Sequence, residues 1–348
     1  MPPPNRRPQR RLCRTNLSPQ LSVRRPSVRI LCALAAFLSL ATFAPARLIQ
    51  PVPFVHQALI RFTPIPLDRD DPGRTRLGRL VYLGGWEMRS DNPRFGGISA
   101  LHVADGEALG LSDSGWLIRF PLPGRKAAVE GRITALADGP GSREVKRDRD
   151  TESMALFGGR AWIGFERQNA VWRYAVKDWR SDTHAKPKGM ARWPNNSGPE
   201  TIIRLADGRF LVFSEEARRA GGTTDVLLFE GDPAVPGTRA VSFGYRAPAG
   251  YDATDGTLLP DGRLLLLNRR FTIWEGVSAK LVVAAAPGAH PPDVIAGEEI
   301  ADLRSPINVD NMEGVSVTQE GGRTIVWIAS DDNFNPMQRS LLLKFALE

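Results

Sequence analysis

Acidic residues recur at two fixed places in five similar segments of the chain. Just before one apolar stretch stand Gly97, Glu152, Glu200, Asp255 and Glu313. Just after the next stretch stand Asp113, Glu166, Glu215-Glu216, Arg269-Arg270 and Asp331-Asp332, with Arg167, Arg218, Arg219 and Arg339 close by. Crowded carboxylates repel, so each must hold a proton, pair with a cation or bind a metal ion. Two outcomes follow from that chemistry. One is a web of ion pairs that locks neighbouring segments together. The other is an all-oxygen site suited to a hard cation such as calcium (Ca2+), with arginines left to hold an anionic ester. On the second reading the candidate metal ligands are Glu152, Glu200, Glu215, Asp255, Glu313 and Asp331, and the candidate substrate-binding residues include Arg167, Arg269, Arg270 and Asp113.

Other catalytic chemistries lack their residues. There is no G-x-S-x-G nucleophile elbow and no glycine-rich phosphate loop leading into a helix. The four histidines (His56, His102, His184, His290) are isolated, without the paired spacing of a zinc site. Both cysteines, Cys13 and Cys32, lie in the first 46 residues, so the rest of the chain has no disulfide, thiolate metal site or cysteine nucleophile.

The elements that must position the acids follow from an internal repeat. Five pairs of apolar, strand-like runs are each joined by a two-residue turn: Asp105-Gly106, Gly158-Gly159, Asp207-Gly208, Asp261-Gly262 and Gly321-Gly322. Such dipeptides admit positive φ at both central positions, as tight hairpins require. Turn-to-turn spacings of about 50–60 residues suit four-stranded propeller blades with loops. Third and fourth strands are expected after each pair, for example over 170–176 and 189–193 in the second unit. After the fifth pair only residues 340–346 remain, and the missing strand is available at 79–88. An all-β propeller of five four-stranded blades is therefore expected, its ring closed by that N-terminal strand. Six blades, with residues 58–62 in a degenerate one, is the alternative. Paired strands are antiparallel, so both acid sets fall at one mouth of the central channel. The eight tryptophans, among them Trp116, Trp162, Trp172 and Trp327, are expected between blades.

The charge of the chain has a separate origin. Of 46 Lys and Arg, eight are arginines in residues 1–46, a stretch without acid; removing them leaves 38 basic against 38 acidic residues, so a formal +8 becomes neutral. Residues 30–44 are apolar and end at Ala44-Pro45-Ala46, the pattern of a signal peptide cleaved near Ala46. Fifteen apolar residues are short of the about 20 that a membrane span needs. The expected organisation is a signal peptide over 1–46, a Pro-rich lead-in over 47–76 and the propeller over 77–348, periplasmic or secreted. Nucleic acid is excluded as a partner, and no membrane span remains after cleavage.

Several motifs together resemble one family. They are Phe95-Gly96-Gly97-Ile98-Ser99, Ser112-Asp113-Ser114-Gly115, Asp150-Thr151-Glu152-Ser153, Asn196-Ser197-Gly198-Pro199-Glu200, Asn268-Arg269-Arg270-Phe271, Asp310-Asn311-Met312-Glu313-Gly314 and Ser330-Asp331-Asp332-Asn333-Phe334 with Gln338. The chain is similar over 77–348 to the phytase-like family, also called "esterase-like activity of phytase", of exported bacterial proteins. The resemblance implies hydrolysis of phosphate esters or other esters, by analogy with calcium-dependent propeller phytases, and adds Asn333 to the substrate-binding candidates. A lactonase-type propeller with one divalent metal on the axis, and a non-catalytic envelope propeller that binds a partner, are the alternatives.

Overall fold

A computed structural model describes residues 54–288 and 291–348 of the chain. The basic apolar start, with its expected cleavage near Ala46, lies outside the described residues, as does His290.

The described chain opens with β1 (Val55–Pro64), the two-residue β2 (Arg76–Leu77) and β3 (Leu80–Ser90). Four-stranded blades follow. Blade one is β4 (Ile98–Ala104), β5 (Glu107–Ser112), β6 (Trp116–Pro121) and β7 (Ala128–Ala135); blade two is β8 (Thr151–Phe157), β9 (Arg160–Phe165), β10 (Ala170–Ala175) and β11 (Arg180–Ala185). Blade three is β12 (Pro199–Arg204), β13 (Phe210–Arg219), β14 (Thr223–Phe229) and β15 (Ala240–Tyr245). Blade four is β16 (Asp252–Leu258), β17 (Leu264–Thr272) and β18 (Gly276–Ala284), completed after the short β19 (Val294–Ile295) by β20 (Gly297–Leu303). β19 itself adds in parallel to the outer edge of blade three. Blade five is β21 (Asn311–Glu320), β22 (Arg323–Asp331) and β23 (Ser340–Leu347), and its fourth strand is β3 from the other end of the chain.

The protein is a five-bladed β-propeller. β4, β8, β12, β16 and β21 neighbour one another in a closed ring. Apolar side chains from adjacent blades form five core clusters, one at each junction: for example Leu267 and Leu281 of blade four meet Ile328 and Leu343 of blade five, and Ile118 and Ile133 of blade one meet Trp327 of blade five. Hydroxyls stitch the inner strands together. Ser99 Oγ of β4 donates to the Thr151 carbonyl of β8 at 2.6 Å, Ser153 of β8 to the Pro199 carbonyl of β12, and Thr254 Oγ1 of β16 to the Met312 carbonyl of β21 at 3.2 Å.

Three details depart from the sequence reading. β1 makes no sixth blade; it is shared, pairing along one edge with β3 of blade five and along the other with β7 of blade one. In blade two the fourth strand is the polar run Arg180–Ala185. Residues 188–192 instead form a 3₁₀ turn that buries Met190, and Trp193 is buried directly after it. An outer strand needs only one apolar face, so its sequence signal is weak. Third, Asp207 and Asp261 do not take positive φ; only the glycine of each pair does. There Leu205 and Leu259 receive the return bonds, from the Gly208 and Gly262 N–H at 3.0 and 2.9 Å, in a longer hairpin loop with one left-handed residue. Of the tryptophans, Trp116, Trp162 and Trp327 lie in the junction clusters and Trp172 packs against one, whereas Trp274 is 94% exposed at the β17–β18 tip.

Sharing β1 between two blades makes it the clasp of the ring. Ile60 is fully buried and faces Ser90 on one side and Val129 on the other. Ile60→Ala is expected to cost about 2–5 kcal/mol in urea unfolding, while Leu59→Ala, at an exposed position of the same strand, changes stability by less than about 0.5 kcal/mol.

Candidate functional site at the channel mouth

An irregularity repeated in all five blades builds the mouth. Near its start, each innermost strand slips by one residue against its neighbour: between Ile98 and Ala100, Thr151 and Ser153, Pro199 and Thr201, Ala253 and Asp255, and Met312 and Gly314. The skipped residues are Ser99, Glu152, Glu200, Thr254 and Glu313. A bulge residue has no cross-strand partner, and the kink re-aims its side chain. In three blades that residue is a glutamate.

The second slot follows from the same pairing. Ile98, Thr151, Pro199, Ala253 and Met312 face Ser112, Phe165, Ser214, Asn268 and Ser330. The residues immediately after these are Asp113, Glu166, Glu215, Arg269 and Asp331. Together the two slots hold seven carboxylates and one guanidinium.

Spacing alone put Gly97 and Asp255 in the glutamate slot, and the pairing corrects this to Ser99 and Thr254. Asp255, one residue past its bulge, is buried with Oδ1 accepting the Gly256 N–H at 2.8 Å and Oδ2 the Val315 N–H at 2.7 Å. It ties β16 to β21. Gly97 has φ +65°, and a Cβ there would come within 2.6 Å of Asp113 Oδ1, so the glycine makes room for that acid.

The cations are arranged around the acids. Lys146, in a 3₁₀ turn before β8, reaches Asp113 Oδ2 at 2.8 Å and Asp150 Oδ1 at 3.3 Å. Arg167 Nε donates to Asp150 Oδ2 at 2.7 Å. Arg269 donates to Glu215 Oε1 at 3.0 Å and to Asn311 Oδ1 at 2.9 Å, and lies 3.6 Å from Glu313 Oε1. Asn311 in turn donates to Glu313 at 2.7 Å. The Glu152 and Glu200 side chains have no hydrogen bond or ion pair among the described residues, although Glu200 is only 7% exposed. Arg270 turns away, pairing with Glu275 and lying 4.8 Å from the Tyr251 ring. Asn333 is exposed in a left-handed conformation, its backbone N–H bound by Asp331 Oδ1 at 2.6 Å. Asp332 closes the ring by accepting the Gly97 N–H at 2.9 Å.

Burial and mutual repulsion displace the titrations upward. Burial, then Glu200, Glu313, Asp150 and Asp113, hold Glu152 well above the ordinary carboxylate range; burial, then Glu215, Glu166 and Glu313, do the same for Glu200 against the pull of Arg269. Asp331 is raised well by burial and Glu313. Burial lifts Glu313 less, because Arg269 opposes it. Glu166 is pushed up to about 8 by burial and Asp150, and Glu215 to about 7 by burial with Arg269 opposing.

Ligand oxygens of Asp150, Glu152 and Glu166 lie within 4.8 Å of one another. Asp150 was not singled out from spacing, because it precedes both slots. Its signal was local, an acid two residues before Glu152 in Asp150-Thr151-Glu152. Lys146 carries no repeat signal, since it lies in a charged loop without periodicity.

A family model described as "Phytase-like: Esterase-like activity of phytase" matches residues 93–334, which contain every residue of both slots. The chain belongs to the phytase-like family. Among solved structures, this chain shares 11% identity with the glutaminyl cyclase of Myxococcus xanthus, covering 78% of this chain and 100% of that one at a TM-score of 0.44. The major allergen Mala s 1 of Malassezia sympodialis is 11% identical over 71% of this chain and 92% of its own, at a TM-score of 0.40. The Cps50 (Swd1) β-propeller domain of Myceliophteria thermophila is 10% identical over 83% and 100%, at 0.38. Likenesses this distant carry nothing about activity. No curated protein matches the sequence. No helix among the described residues is long and apolar enough to cross a membrane.

The raised acids set a pH dependence. An unfolded glutamate releases its proton near pH 4.5, whereas Glu215 and Glu166 keep theirs to about 7 and 8 when folded. Between those limits the folded state binds more protons, so stability falls as pH rises through this range. In metal-free buffer, Tm is expected to drop between pH 5 and 8, and calcium at pH 8 to restore several degrees. Glu200→Gln should raise the metal-free Tm at pH 8 and shrink the calcium response. A Tm indifferent to both pH and calcium contradicts this electrostatic picture.

Proposed function

We propose that the mouth is the active site of an ester hydrolase, with phosphate esters the first candidates and a divalent cation as cofactor. The observation that carries this reading is that three of the seven acids, the half-buried Glu152 and the buried Glu166 and Glu200, have no side-chain hydrogen bond or ion pair to any group but another acid among the described residues. The donor set fits a hard cation: it is all oxygen and anionic, and oxygens of Asp150, Glu152 and Glu166 already converge. Glu152, Glu200, Glu313 and Asp331 would hold calcium, with Asp150 and Glu166 alongside. Asp255 is left out because backbone N–H groups occupy both its oxygens. When bound, such an ion polarises the ester and acidifies a water molecule.

The remaining chemistry belongs to side chains of the chain. Arg269 presents a planar fork between Glu215 and Glu313, and Arg167 and Lys146 add positive charge beside Asp150. These three cations bind and orient the anionic group of the ester. Glu215 and Glu166, raised to about 7 and 8, hold a proton near neutral pH. An acid poised near the working pH can pass its proton to the departing alcohol oxygen, and its carboxylate can take one from water.

One feature favours the non-catalytic alternative, a binding propeller: Asp113, Asp150 and Glu215 are already ion-paired. Activity separates the two. With calcium, the purified protein is expected to release phosphate from phytate or phosphate monoesters, or alcohol from aryl esters. Glu313→Ala and Arg269→Ala should each lower kcat/KM by at least about a hundredfold. Absence of turnover on both substrate classes, with Glu313→Ala unchanged in calcium affinity, contradicts the reading.

A further inference from the structure

A second charged cavity opens on the same face of the propeller, at the junction of blades two and three. It has a volume of about 700 Å³ and lies between residues 188–194, which lead into β12, and the outer strands of blade three. Its lining includes Lys188, Arg192, Arg218 and Arg219, against a single acid, Asp225. That acid is fully engaged. Asp225 Oδ1 accepts from Arg219 at 2.6 Å and Ser242 Oγ at 2.6 Å, and Oδ2 accepts from the buried Trp193 indole at 2.8 Å. Arg218 bonds Asp252 at 2.7 Å, outside the lining. Lys188 and Arg192 are exposed, and their side chains have no hydrogen bond or ion pair among the described residues. Counting Asp225 and Asp252 against the four cations leaves a net charge of +2.

The backbone holds these cations in place. The 3₁₀ turn Lys188–Arg192 is anchored by the buried Met190 and by Trp193, so both free cations project from a fixed segment. Arg218 and Arg219 lie on the extension of β13 that pairs with Thr224 and Thr223 of β14.

We propose that this cavity binds a polyvalent oxyanion, a ligand with two or more adjacent phosphate or sulfate groups. Three guanidinium groups and one ammonium group lining one cavity, with Lys188 and Arg192 unpaired, match several charged oxygens, and a single carboxylate would leave most of that charge unanswered. The volume is in the range of small-molecule sites. This proposal stands apart from the reading of the acid ring, which concerns a different cavity and different residues.

The test is a calorimetric titration with tripolyphosphate at low ionic strength, in chelator and without divalent metal, so that no metal ion at the acid ring bridges to the ligand and only the cavity double removes the cations in question. The double variant Lys188→Ala/Arg192→Ala is compared with Arg125→Ala/Lys126→Ala, an exposed pair on the β6–β7 loop at the opposite face. Both doubles remove two positive charges. The wild type is expected to bind, with the cavity double at least tenfold weaker and the opposite-face double within twofold of wild type. No binding by the wild type, a loss under threefold in the cavity double, or equal losses in both doubles overturns the proposal. Hydrolysis is not read in this titration, so an inactive protein that binds tripolyphosphate counts against the proposed reaction alone.

Discussion

Like charges brought into a buried place without enough counter-charge are the constraint on which this mouth depends. Five bulges turn residues of the innermost strands out of their pairing, and in three blades the residue is a glutamate. Four more acids stand in the adjoining slot. One guanidinium, Arg269, shares those slots, and Lys146 and Arg167 add charge from the surrounding loops. Ordinary cores avoid such arrangements because an unpaired buried ion is expensive. Its persistence requires a rigid frame, and the ring supplies one through five inter-blade cores and the hydroxyl stitches between inner strands.

Glu152 and Glu200 differ from Asp113, Asp150, Glu215 and Asp255 in a way that matters chemically. Asp113 and Asp150 hold a lysine, Glu215 an arginine, and Asp255 two backbone N–H groups. Those acids have paid their desolvation with a partner. Glu152 and Glu200 have not, and the remaining ways to relieve them are a proton or a cation. The fold is shared by proteins of unrelated roles, so the chemistry rests on this difference rather than on the propeller.

Much of the architecture could be read from the chain because hairpin turns and apolar runs are local signals. Asp105-Gly106 and Gly321-Gly322 mark their hairpins, and the strand completing blade five was evident from what residues 340–346 lacked. Outer strands were harder. Arg180–Ala185 is polar on its solvent side, and β1 was legible as a strand but not as one shared by two blades. The acids were legible as an ordered set, yet their slots were set one residue wrong in blade four. A bulge adds a residue without changing the apolar pattern, so Thr254 and Asp255 exchange roles invisibly in the sequence. Partners contributed by loops, such as Lys146, carry no period at all.

The central claim is that unpartnered carboxylates at the mouth hold a divalent cation. Crystals grown with calcium, examined by anomalous diffraction, test it most directly. The account requires a peak bonded by carboxylate oxygens of Glu152 and Glu200, with other acids of the ring completing the shell. A mouth without such a peak, in which both glutamates have moved to pair with Arg269, Arg167 or Lys146, would contradict it.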